Sequence, residues 1–286
     1  MVKGKFMSLI NLPSSFEIED LVRLSLKEDL GDGDITTDSI LRENVSLRAN
    51  AVAKQDLILC GGDLVKEVFR QMEPEVNINL LYNDGVAAIT GKILFTLEGD
   101  ASSILKGERT ALNMLQYLSG IATFTQKFVE AAQPVKVLDT RKTHPGLRKF
   151  EKYAVARGGG WNHRFGLYDA LLIKDNHIKA AGGIIEAIRR SRKTQSHNLF
   201  VEVETTSLQE VREAVTEKPD RILLDNMTTD EILQAVEIIG GMSEVEVSGS
   251  INLEKAKDLA STGIDYISVG SLTHSAPWAD ISLNFI

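Results

Sequence analysis

From residue 135 onward the sequence alternates between short apolar runs and helical patterns, and this alternation restricts the fold more than any other feature. The apolar runs have the length of buried strands and end in polar residues or glycine; they are 135–138, 170–173, 199–201, 221–224, 244–247 and 265–269. The helical patterns between the later runs are 184–190, 208–215, 231–239 and 253–259. Buried strands that alternate with helices are typical of a parallel sheet covered by helices.

The last three runs recur about every 20–25 residues, a spacing short enough for a closed or nearly closed α/β barrel. A doubly wound open sheet is the alternative for the same pattern. Its dinucleotide-binding version places a G-x-G-x-x-G motif directly after the first strand. No such motif follows 135–138, so we predict an α/β fold built on a barrel.

The region before residue 118 has a mixed order of elements, which predicts a separate α+β domain. Its patterns are helical at 16–28 and 62–70 and extended at 47–59 and 85–97. We therefore predict an N-terminal domain over 1–117 and a barrel domain over 118–275. The tail at 276–286 is expected to pack back on the N-terminal domain.

A long helical pattern from Ile104 to Ala132 joins the two regions. Arg109, Asn113 and Gln116 share one face of this helix, because they are spaced by three or four residues. A polar stripe of this kind is commonly a solvated face. Asn and Gln in place of Lys and Glu also fit a contact with another protein or with an active site, so both interpretations stay open.

Charge and cysteine content exclude several classes of protein. The formal net charge is −8, whereas nucleic-acid-binding domains are usually basic. The single cysteine, Cys60, lies in an apolar run, where we expect core packing, and it cannot form an internal disulfide. No apolar stretch reaches the roughly 20 residues needed to cross a bilayer. We therefore expect a cytoplasmic protein that binds neither nucleic acid nor membrane.

Positive charge is nevertheless concentrated in one part of this acidic chain. The polar motifs between residues 139 and 177 contain Arg141, Lys142, Arg148, Arg164 and Lys174. Local charge of the opposite sign to the whole chain predicts a site for an anionic small molecule.

Functional groups follow each of the six predicted strands. The segments are Asp139–Lys142, Lys174–Asn176, Glu202 with Glu204, Asp225–Asn226, Ser248–Ser250 and Gly270–Ser271. In an α/β barrel the carboxyl ends of the strands converge on one mouth, where the chemistry takes place. Any one of these residues alone fits an ordinary turn, but six such strand ends together predict a catalytic mouth.

The strand ends differ in their chemistry. Small residues after the last two strands leave backbone N–H groups accessible to phosphate; they are Ser248, Gly249 and Ser250, and Gly270 and Ser271. Glu204 and Asp225, on the middle strands, supply carboxylates suited to Mg²⁺ or to sugar hydroxyls. We therefore expect a phosphorylated sugar at one side of the mouth and an anionic partner at the other.

Long motifs in a fixed order resemble those of the quinolinate phosphoribosyltransferases, also called carboxylating nicotinate-nucleotide pyrophosphorylases. The motifs are D-T-R-K-T-x-P-G-L-R at 139–148, G-G-G-x-N-H-R-x-G-L-x-D at 158–169 and L-I-K-D-N-H at 172–177, with further matches at 28–37, 107–113, 203–204, 224–226 and 269–275. The resemblance covers nearly the whole chain. It implies an incomplete α/β barrel of the type II phosphoribosyltransferase class beside a mixed α+β N-terminal domain.

The resemblance also implies an enzyme, a pentosyltransferase of de novo NAD biosynthesis. Members transfer the ribosyl 5-phosphate of phosphoribosyl pyrophosphate to the ring nitrogen of quinolinate, with loss of one carboxylate as CO₂. The products are nicotinate mononucleotide and pyrophosphate, and Mg²⁺ accompanies phosphoribosyl pyrophosphate. The functional unit is a homodimer or a hexamer, in which Arg109 completes the site of the neighbouring subunit.

Roles for single residues follow from the same resemblance. The quinolinate pocket is formed by Arg141, His163, Arg164 and Lys174, with Arg109 from the neighbouring chain. Lys142 is expected at the pyrophosphate, and Glu204 and Asp225 at the ribose hydroxyls and at Mg²⁺, through substrate and water. The remaining substrate-binding residues are Thr140, Ser248, Gly249, Ser250, Gly270, Ser271 and Leu272. The expected catalytic residues are Lys142, Lys174, Glu204 and Asp225.

The chain departs from the family pattern in the segment expected to bind phosphate. Members usually have S-G-G-I where this chain has S-G-S-I at 248–251. A serine at 250 still presents its N–H and adds a hydroxyl, unless the position needs a positive φ, which favours glycine.

Other functions fit parts of the pattern. Lys174 would serve as a Schiff-base nucleophile in a barrel lyase. A relative of the same fold associated with molybdate transport would bind another anion, although the arginines that read quinolinate count against it. A binding module without catalysis would not need both an anion pocket and acids at one mouth.

Overall fold

A computed structural model of the chain describes residues 12–41, 45–72, 76–193 and 199–286. Contacts divide these residues into two units. The first unit holds the described residues up to Gln126 together with 149–159 and 276–286, and the second holds 127–148 and the described residues of 160–275. The predicted boundary after residue 117 falls inside a continuous helix, Ala101–Ala132, whose last turns belong to the second unit.

The elements follow one another in the order that the chain's patterns broadly predict. They are α1 (Ser15–Leu30), α2 (Ile35–Ile40), β1 (Ser46–Ala53), β2 (Leu57–Ile58), α3 (Gly62–Gln71), β3 (Val76–Leu80), β4 (Ala87–Ala88), β5 (Ile93–Asp100), α4 (Ala101–Ala132), β6 (Lys136–Leu138), α5 (Arg148–Arg157), β7 (Leu171–Ile173), α6 (Asp175–Ala181), α7 (Ile184–Lys193), β8 (Val201–Thr205), α8 (Leu208–Thr216), β9 (Arg221–Asp225), α9 (Thr229–Ile239), β10 (Glu244–Ser248), α10 (Leu253–Leu259), β11 (Tyr266–Ser268), α11 (Ser271–His274) and β12 (Ile281–Phe285).

The first unit is built on a four-stranded antiparallel sheet of order β12-β1-β5-β3. Helix α1 begins at a capping box, in which the Ser14 hydroxyl accepts the Glu17 N–H and the Glu17 carboxylate accepts the Ser14 N–H. Alternate residues of β1, Ala49, Ala51 and Ala53, are fully buried and form the core face of the sheet.

The C-terminal tail completes this sheet, because β12 pairs with β1. Just before the strand, the tail crosses α4 at Gly120, where a Cβ atom would lie 2.2 Å from the carbonyl oxygen of Pro277. Only glycine allows so close an approach. The side-chain amide of Gln116 donates to the carbonyl of Ile281 at 2.7 Å, so this member of the polar stripe holds the tail.

The second unit contains six parallel strands in the order β6-β11-β10-β9-β8-β7. Helices that follow the strands cover the sheet; α9, for example, buries Ile232, Ala235 and Ile239. Strands β6 and β7 are the two edges, and within the described residues they do not pair with each other. The predicted incomplete α/β barrel is therefore confirmed.

Two strand patterns of the N-terminal region are broken in the structure. The run 47–59 divides into β1 and β2, and the run 85–97 divides into β4 and β5. The Asp56 carboxylate ties the two intervening turns together, since it accepts the N–H of Thr90 at 2.8 Å and its hydroxyl at 2.9 Å. Hydrogen bonds from a side chain to the backbone compete with strand pairing, so they can divide a strand even where the apolar pattern of the sequence is continuous.

Cys60 lies in the core of the first unit, as its apolar surroundings predict. It is fully buried, and its N–H donates to the hydroxyl of Ser119 at 2.9 Å. Burial raises the pKa of the thiol, so the side chain is an unreactive core group.

Across the described ranges, no helix is both long enough and apolar enough to pass through a membrane.

Candidate active site

A cavity of about 760 Å³ opens at the carboxyl ends of the six parallel strands. A volume of this size is typical of small-molecule sites. The residues that line it are Thr140, Arg141, Lys142, His163, Arg164, Leu172, Lys174, Glu204, Leu223, Asp225, Asn226, Glu246, Ser248, Gly249, Ser250, Ile251, Ser268, Gly270, Ser271 and His274. The structure therefore brings the polar strand ends together at one mouth, as the barrel prediction requires.

Two of the predicted substrate-binding residues are not among the lining residues. Leu272 is fully buried, because the apolar side chain of α11 turns into the core. Arg109 is exposed on α4 in the first unit. All the other predicted substrate-binding residues line the cavity.

The alternation of side chains along the strands creates two layers inside the barrel, because residues two apart on a strand share a face. Glu202 and Glu204 are such a pair on β8, and Glu246 and Ser248 are such a pair on β10. We call the outer set the mouth layer; it consists of Lys174, Glu204, Asp225 and Ser248. We call the inner set the buried layer; it consists of His163, Glu202, Arg221 and Glu246.

Side chains of the mouth layer pair with one another while remaining next to the cavity. The Lys174 ammonium lies 2.7 Å from the Glu204 carboxylate. The Asp225 carboxylate accepts the Ser248 hydroxyl at 2.5 Å and the side-chain amide of Asn226 at 2.7 Å. These carboxylates are oxygen ligands at an open mouth, which suits sugar hydroxyls or a phosphate-bound Mg²⁺.

Two guanidinium groups are held near each other at the same cavity. Arg164 is 6% exposed, and its guanidinium donates to the carbonyl of Ala170 at 3.1 Å. Burial, and next the positive charge of Arg141, lower the pKa of Arg164. The two positive charges repel each other, and a bound anion relieves this repulsion. An anion with more than one negative group can pair with both guanidinium groups at once, so the pair is suited to such an anion.

A buried carboxylate fixes the segment that carries His163 and Arg164. The Asp139 side chain is fully buried and directly follows β6. It accepts the side-chain amide of Asn162 at 2.7 Å and the N–H of His163 at 2.8 Å. Asp139 therefore positions the binding segment and does not reach the cavity itself.

The segment after β10 forms a tight turn that lines the cavity. Gly249 has φ +99°, and a Cβ atom there would lie 2.2 Å from Oδ1 of Asn226. Ser250 has φ +48°, in the left-handed region. Position 250 therefore has the positive φ that favours glycine. A serine in this conformation lowers the stability of the fold by about 1 kcal/mol.

A second small-residue position follows β11, the strand that pairs with β10. At Gly270 a Cβ atom would lie 3.0 Å from the side chain of Lys142, so the lysine stem lies across the glycine. The backbone carbonyl of Lys142 accepts the hydroxyl of Thr273 at 2.7 Å, which holds the lysine segment beside α11. One ammonium group is thus placed next to the turns expected to bind phosphate.

The buried layer is a closed network of charges. His163 lies 3.1 Å from Glu202, and Arg221 lies 2.8 Å from Glu246. The His163 Nδ1 atom accepts the N–H of Arg164 at 2.8 Å, which leaves Nε2 to donate to Glu202. Burial lowers the pKa of His163, but Glu202 and Glu246 outweigh it and raise the pKa above its ordinary value.

Sequence patterns alone miss Glu246 and Arg221 as parts of the site, and they place Glu202 at the mouth, although it lies one layer below. The available signal is the alternation of acids with apolar residues, at Glu202 and Glu204 and again at Glu244 and Glu246. On an ordinary sheet such a face is solvated, whereas in a barrel it points inward.

Family models match both parts of the chain. The model described as the C-terminal domain of quinolinate phosphoribosyl transferase matches residues 121–284, and the model of the N-terminal domain matches residues 34–119.

Individual relatives agree with the family models. A Bacillus subtilis (strain 168) protein named a probable carboxylating nicotinate-nucleotide pyrophosphorylase is 42% identical over 270 residues, which cover 94% of this chain and 93% of that protein. The mitochondrial decarboxylating quinolinate phosphoribosyltransferase 2b of Nicotiana tabacum is 38% identical over 288 residues, which cover 94% of this chain and 82% of that protein. The solved structure of the nicotinate-nucleotide pyrophosphorylase from Francisella tularensis matches with a TM-score of 0.93 and 43% identity, over 98% of this chain and 99% of that one. The chain therefore belongs to the quinolinate phosphoribosyltransferase family.

Proposed function

We propose that this chain transfers the ribosyl 5-phosphate of phosphoribosyl pyrophosphate to the ring nitrogen of quinolinate. The 2-carboxylate leaves as CO₂, and the products are nicotinate mononucleotide and pyrophosphate. Family membership supports this reaction. The observation that carries it is the approach of Arg141 to Arg164 in the same cavity as the turn at 248–250.

The cationic side of the cavity is assigned to quinolinate. Its two adjacent carboxylates need cations in fixed positions, and guanidinium groups bind carboxylates with two parallel hydrogen bonds. Arg141 and Arg164 supply these groups, with Lys174 beside them and His163 at the floor. When the 2-carboxylate leaves, negative charge develops on the ring, and the same cations stabilise it.

The opposite side is assigned to the sugar phosphate. The turns at 248–250 and 270–271 offer backbone N–H groups to the 5-phosphate. Glu204 and Asp225 accept the ribose hydroxyls, and their carboxylates favour positive charge that develops at the anomeric carbon. Thr140 lies beside Lys142, whose ammonium is assigned to the pyrophosphate.

Mg²⁺ is proposed as the metal that accompanies phosphoribosyl pyrophosphate. The donor set fits, because Glu204 and Asp225 are carboxylates at the open mouth and Mg²⁺ is commonly held by one or two carboxylates together with substrate phosphates. When bound, the ion neutralises charge on the leaving pyrophosphate. The protein's own contribution is to hold both substrates in line, with no covalent intermediate.

The Lys174 Schiff-base alternative is disfavoured by the geometry of the mouth layer. A nucleophilic lysine needs an uncharged amine, which desolvation or a neighbouring cation provides. The Lys174 ammonium instead lies 2.7 Å from the Glu204 carboxylate, so this side chain is engaged in an ion pair with an acid.

A homodimer or larger assembly in the cytoplasm is also proposed. Arg109 lies in a family motif on α4 and is exposed, and Leu105, one turn earlier, is an exposed apolar residue. An exposed apolar side chain beside an arginine fits a surface that meets a second copy, whose site Arg109 would complete. The cytoplasmic assignment is supported by Cys60, a single buried thiol without a disulfide.

The test is a product assay on the purified chain with Mg²⁺, phosphoribosyl pyrophosphate and either quinolinate or nicotinate. Nicotinate mononucleotide and CO₂ are expected from quinolinate, and no product is expected from nicotinate. Arg141→Ala should weaken quinolinate binding by at least about 100-fold, because a charged hydrogen-bonded partner is lost. Product from nicotinate alone, or a variant with unchanged quinolinate affinity, would contradict the proposal.

A further inference from the structure

The buried layer holds more carboxyl groups than guanidinium groups. The guanidinium of Arg221 donates to Glu246 at 2.8 Å and to Glu244 at 2.9 Å, while Glu202 lies in the same buried layer. The Glu244 side chain is 30% exposed, so Glu202 and Glu246 are the two fully buried carboxyl groups, and they share this one guanidinium. When His163 is neutral, as the acceptance of the Arg164 N–H by its Nδ1 atom requires, the two acids outnumber the one cation. An excess negative charge in a buried layer is costly, and a proton on one carboxyl removes it.

Hydrogen bonding indicates that this proton lies on one member of the pair Glu202 and Glu246. Oε1 of Glu202 and Oε1 of Glu246 are both buried, and within the described parts of the chain neither has a hydrogen-bond partner. The two carboxyl groups lie close enough to hydrogen-bond each other, although two ionised carboxylates have no proton to share. A proton on Glu246 supplies a donor to this pair and gives a hydrogen bond to oxygens that otherwise have none, although Oε1 of Glu246 lies 3.7 Å from His163.

The surroundings of the two acids are not equivalent. Burial raises the pKa of Glu202, but His163 and Arg221 together outweigh burial and hold the pKa of Glu202 below its ordinary value. Burial, and next the negative charge of Glu202, raise the pKa of Glu246 to about 7, against the opposing effects of His163, Arg221 and Ser268. The proton therefore resides on Glu246, and Glu202 stays ionised.

Glu246 lines the floor of the cavity, and its Oε1 atom lies 3.7 Å from Nε2 of His163, one of the groups assigned to the pyridine diacid. An ionised carboxylate at the floor would repel a dianion directly above it. We propose that Glu246 binds a proton whenever quinolinate occupies the cavity, and that this proton keeps the floor free of the negative charge that would expel the diacid. The inference rests on the proposed function, since it takes quinolinate as the ligand.

The direction of the pH dependence follows from the groups that face Glu246. These groups are Glu202 on β8, Arg221 on β9, Ser268 on β11 and His163 on the segment before β7, with Glu244 on its own strand. Arg221 keeps its charge throughout, because its neighbouring carboxylates raise its pKa above the ordinary value against the effect of burial. As the pH rises through the pKa of Glu246, the floor becomes negative and quinolinate affinity falls.

The experiment compares the wild type with Glu246→Gln, which carries a permanently neutral side chain of the same shape. Quinolinate binding to the full chain is measured by calorimetry from about pH 6 to about pH 9, on either side of the raised pKa of Glu246. The two proteins should bind alike at the acidic end. At the alkaline end the wild type should bind at least about tenfold more weakly than the variant.

Two further measurements keep the inference testable. The wild type at alkaline pH should take up about one proton per quinolinate bound, measured in buffers of different ionisation enthalpy, and Glu246→Gln should not. Glu244→Gln, which changes the other acid on the same strand and the other partner of Arg221, is the matched control. It should keep the wild-type pH dependence.

Three outcomes would overturn the inference. One is a folded Glu246→Gln variant that loses quinolinate binding at acidic pH, which would mean that the ionised form is needed. Another is quinolinate binding to the wild type without proton uptake. The third is a stoichiometric divalent metal in the purified wild type that Glu246→Gln loses, because His163, Glu202 and Glu246 would then be its ligands. A wild type that makes no product from quinolinate would instead refute the proposed function.

Discussion

The mouth layer and the buried layer of the barrel contain the same kinds of charged group but use them differently. In the mouth layer, the Lys174 side chain is 48% exposed and forms an ion pair with Glu204. In the buried layer, Arg221 is 1% exposed and meets two carboxylates and the ring of Tyr266. Charges of the first kind are available to a substrate, whereas charges of the second kind are committed to one another. The difference separates groups that bind from groups that set the shape and charge of the floor.

The largest expected effect comes from removing the central cation of the buried layer. Arg221→Ala leaves Glu244 and Glu246 without their guanidinium, which should lower the free energy of unfolding by about 3–5 kcal/mol. Urea unfolding followed by circular dichroism measures this loss. Lys174→Ala in the mouth layer is the matched variant, and it should change stability by no more than about 1 kcal/mol while abolishing product formation. Equal stability losses in the two variants would remove the distinction between the layers.

A smaller effect is expected from crowding the turn after β10. Gly249→Ala adds a Cβ atom 2.2 Å from Oδ1 of Asn226 at a positive φ, so the turn must move. We expect the KM for phosphoribosyl pyrophosphate to rise at least about tenfold, with a stability loss of about 1–3 kcal/mol. Steady-state kinetics and urea unfolding measure the two effects.

The control for this variant is Gly241→Ala, in the turn after α9. Gly241 also has a positive φ, of +76°, but a Cβ atom there meets nothing within 4 Å. The Gly241→Ala variant should lose stability through backbone strain alone and keep the wild-type KM for phosphoribosyl pyrophosphate. A matching rise in KM would mean that general destabilisation, and not the shape of the phosphate turn, explains the result.

The smallest expected effect is a gain in stability at the mouth. Ser250→Gly relieves the left-handed strain at φ +48°, and the added freedom of glycine in the unfolded chain offsets part of this gain. The free energy of unfolding should rise by about 0.5 kcal/mol.

Ser250→Ala keeps the strain but removes the hydroxyl, so a higher KM for phosphoribosyl pyrophosphate in both variants would show that the hydroxyl contacts the phosphate. A loss of stability in Ser250→Gly would contradict the strain assignment.

Much of the mouth layer could be predicted from the sequence. Buried strands end where apolar runs end, so Lys174, Glu204 and Asp225 are visible as polar groups at the carboxyl ends of strands. Parallel strands bring their carboxyl ends to the same edge whatever the detailed packing. The prediction therefore needs only the strand pattern and the order of the elements.

The buried layer could not be predicted in the same way. Glu246 alternates with Val245 and Val247, a pattern that is typical of a strand with one solvated face. Its burial depends on the curvature of the sheet, which is a property of all six strands together. Helix α5 could not be predicted from the sequence for a related reason. Its Glu151 and Lys152 are fully buried, and these charged residues interrupt the apolar stripe by which a helix is recognised.

The central claim is that Arg141 and Arg164 act together on one diacid, and a crystal structure of the chain with bound quinolinate tests it most directly. The account predicts both carboxylates of quinolinate within hydrogen-bonding distance of these two guanidinium groups, with the ring nitrogen turned toward Glu204 and Asp225. Quinolinate bound elsewhere, or bound with either arginine turned away from it, would contradict the account.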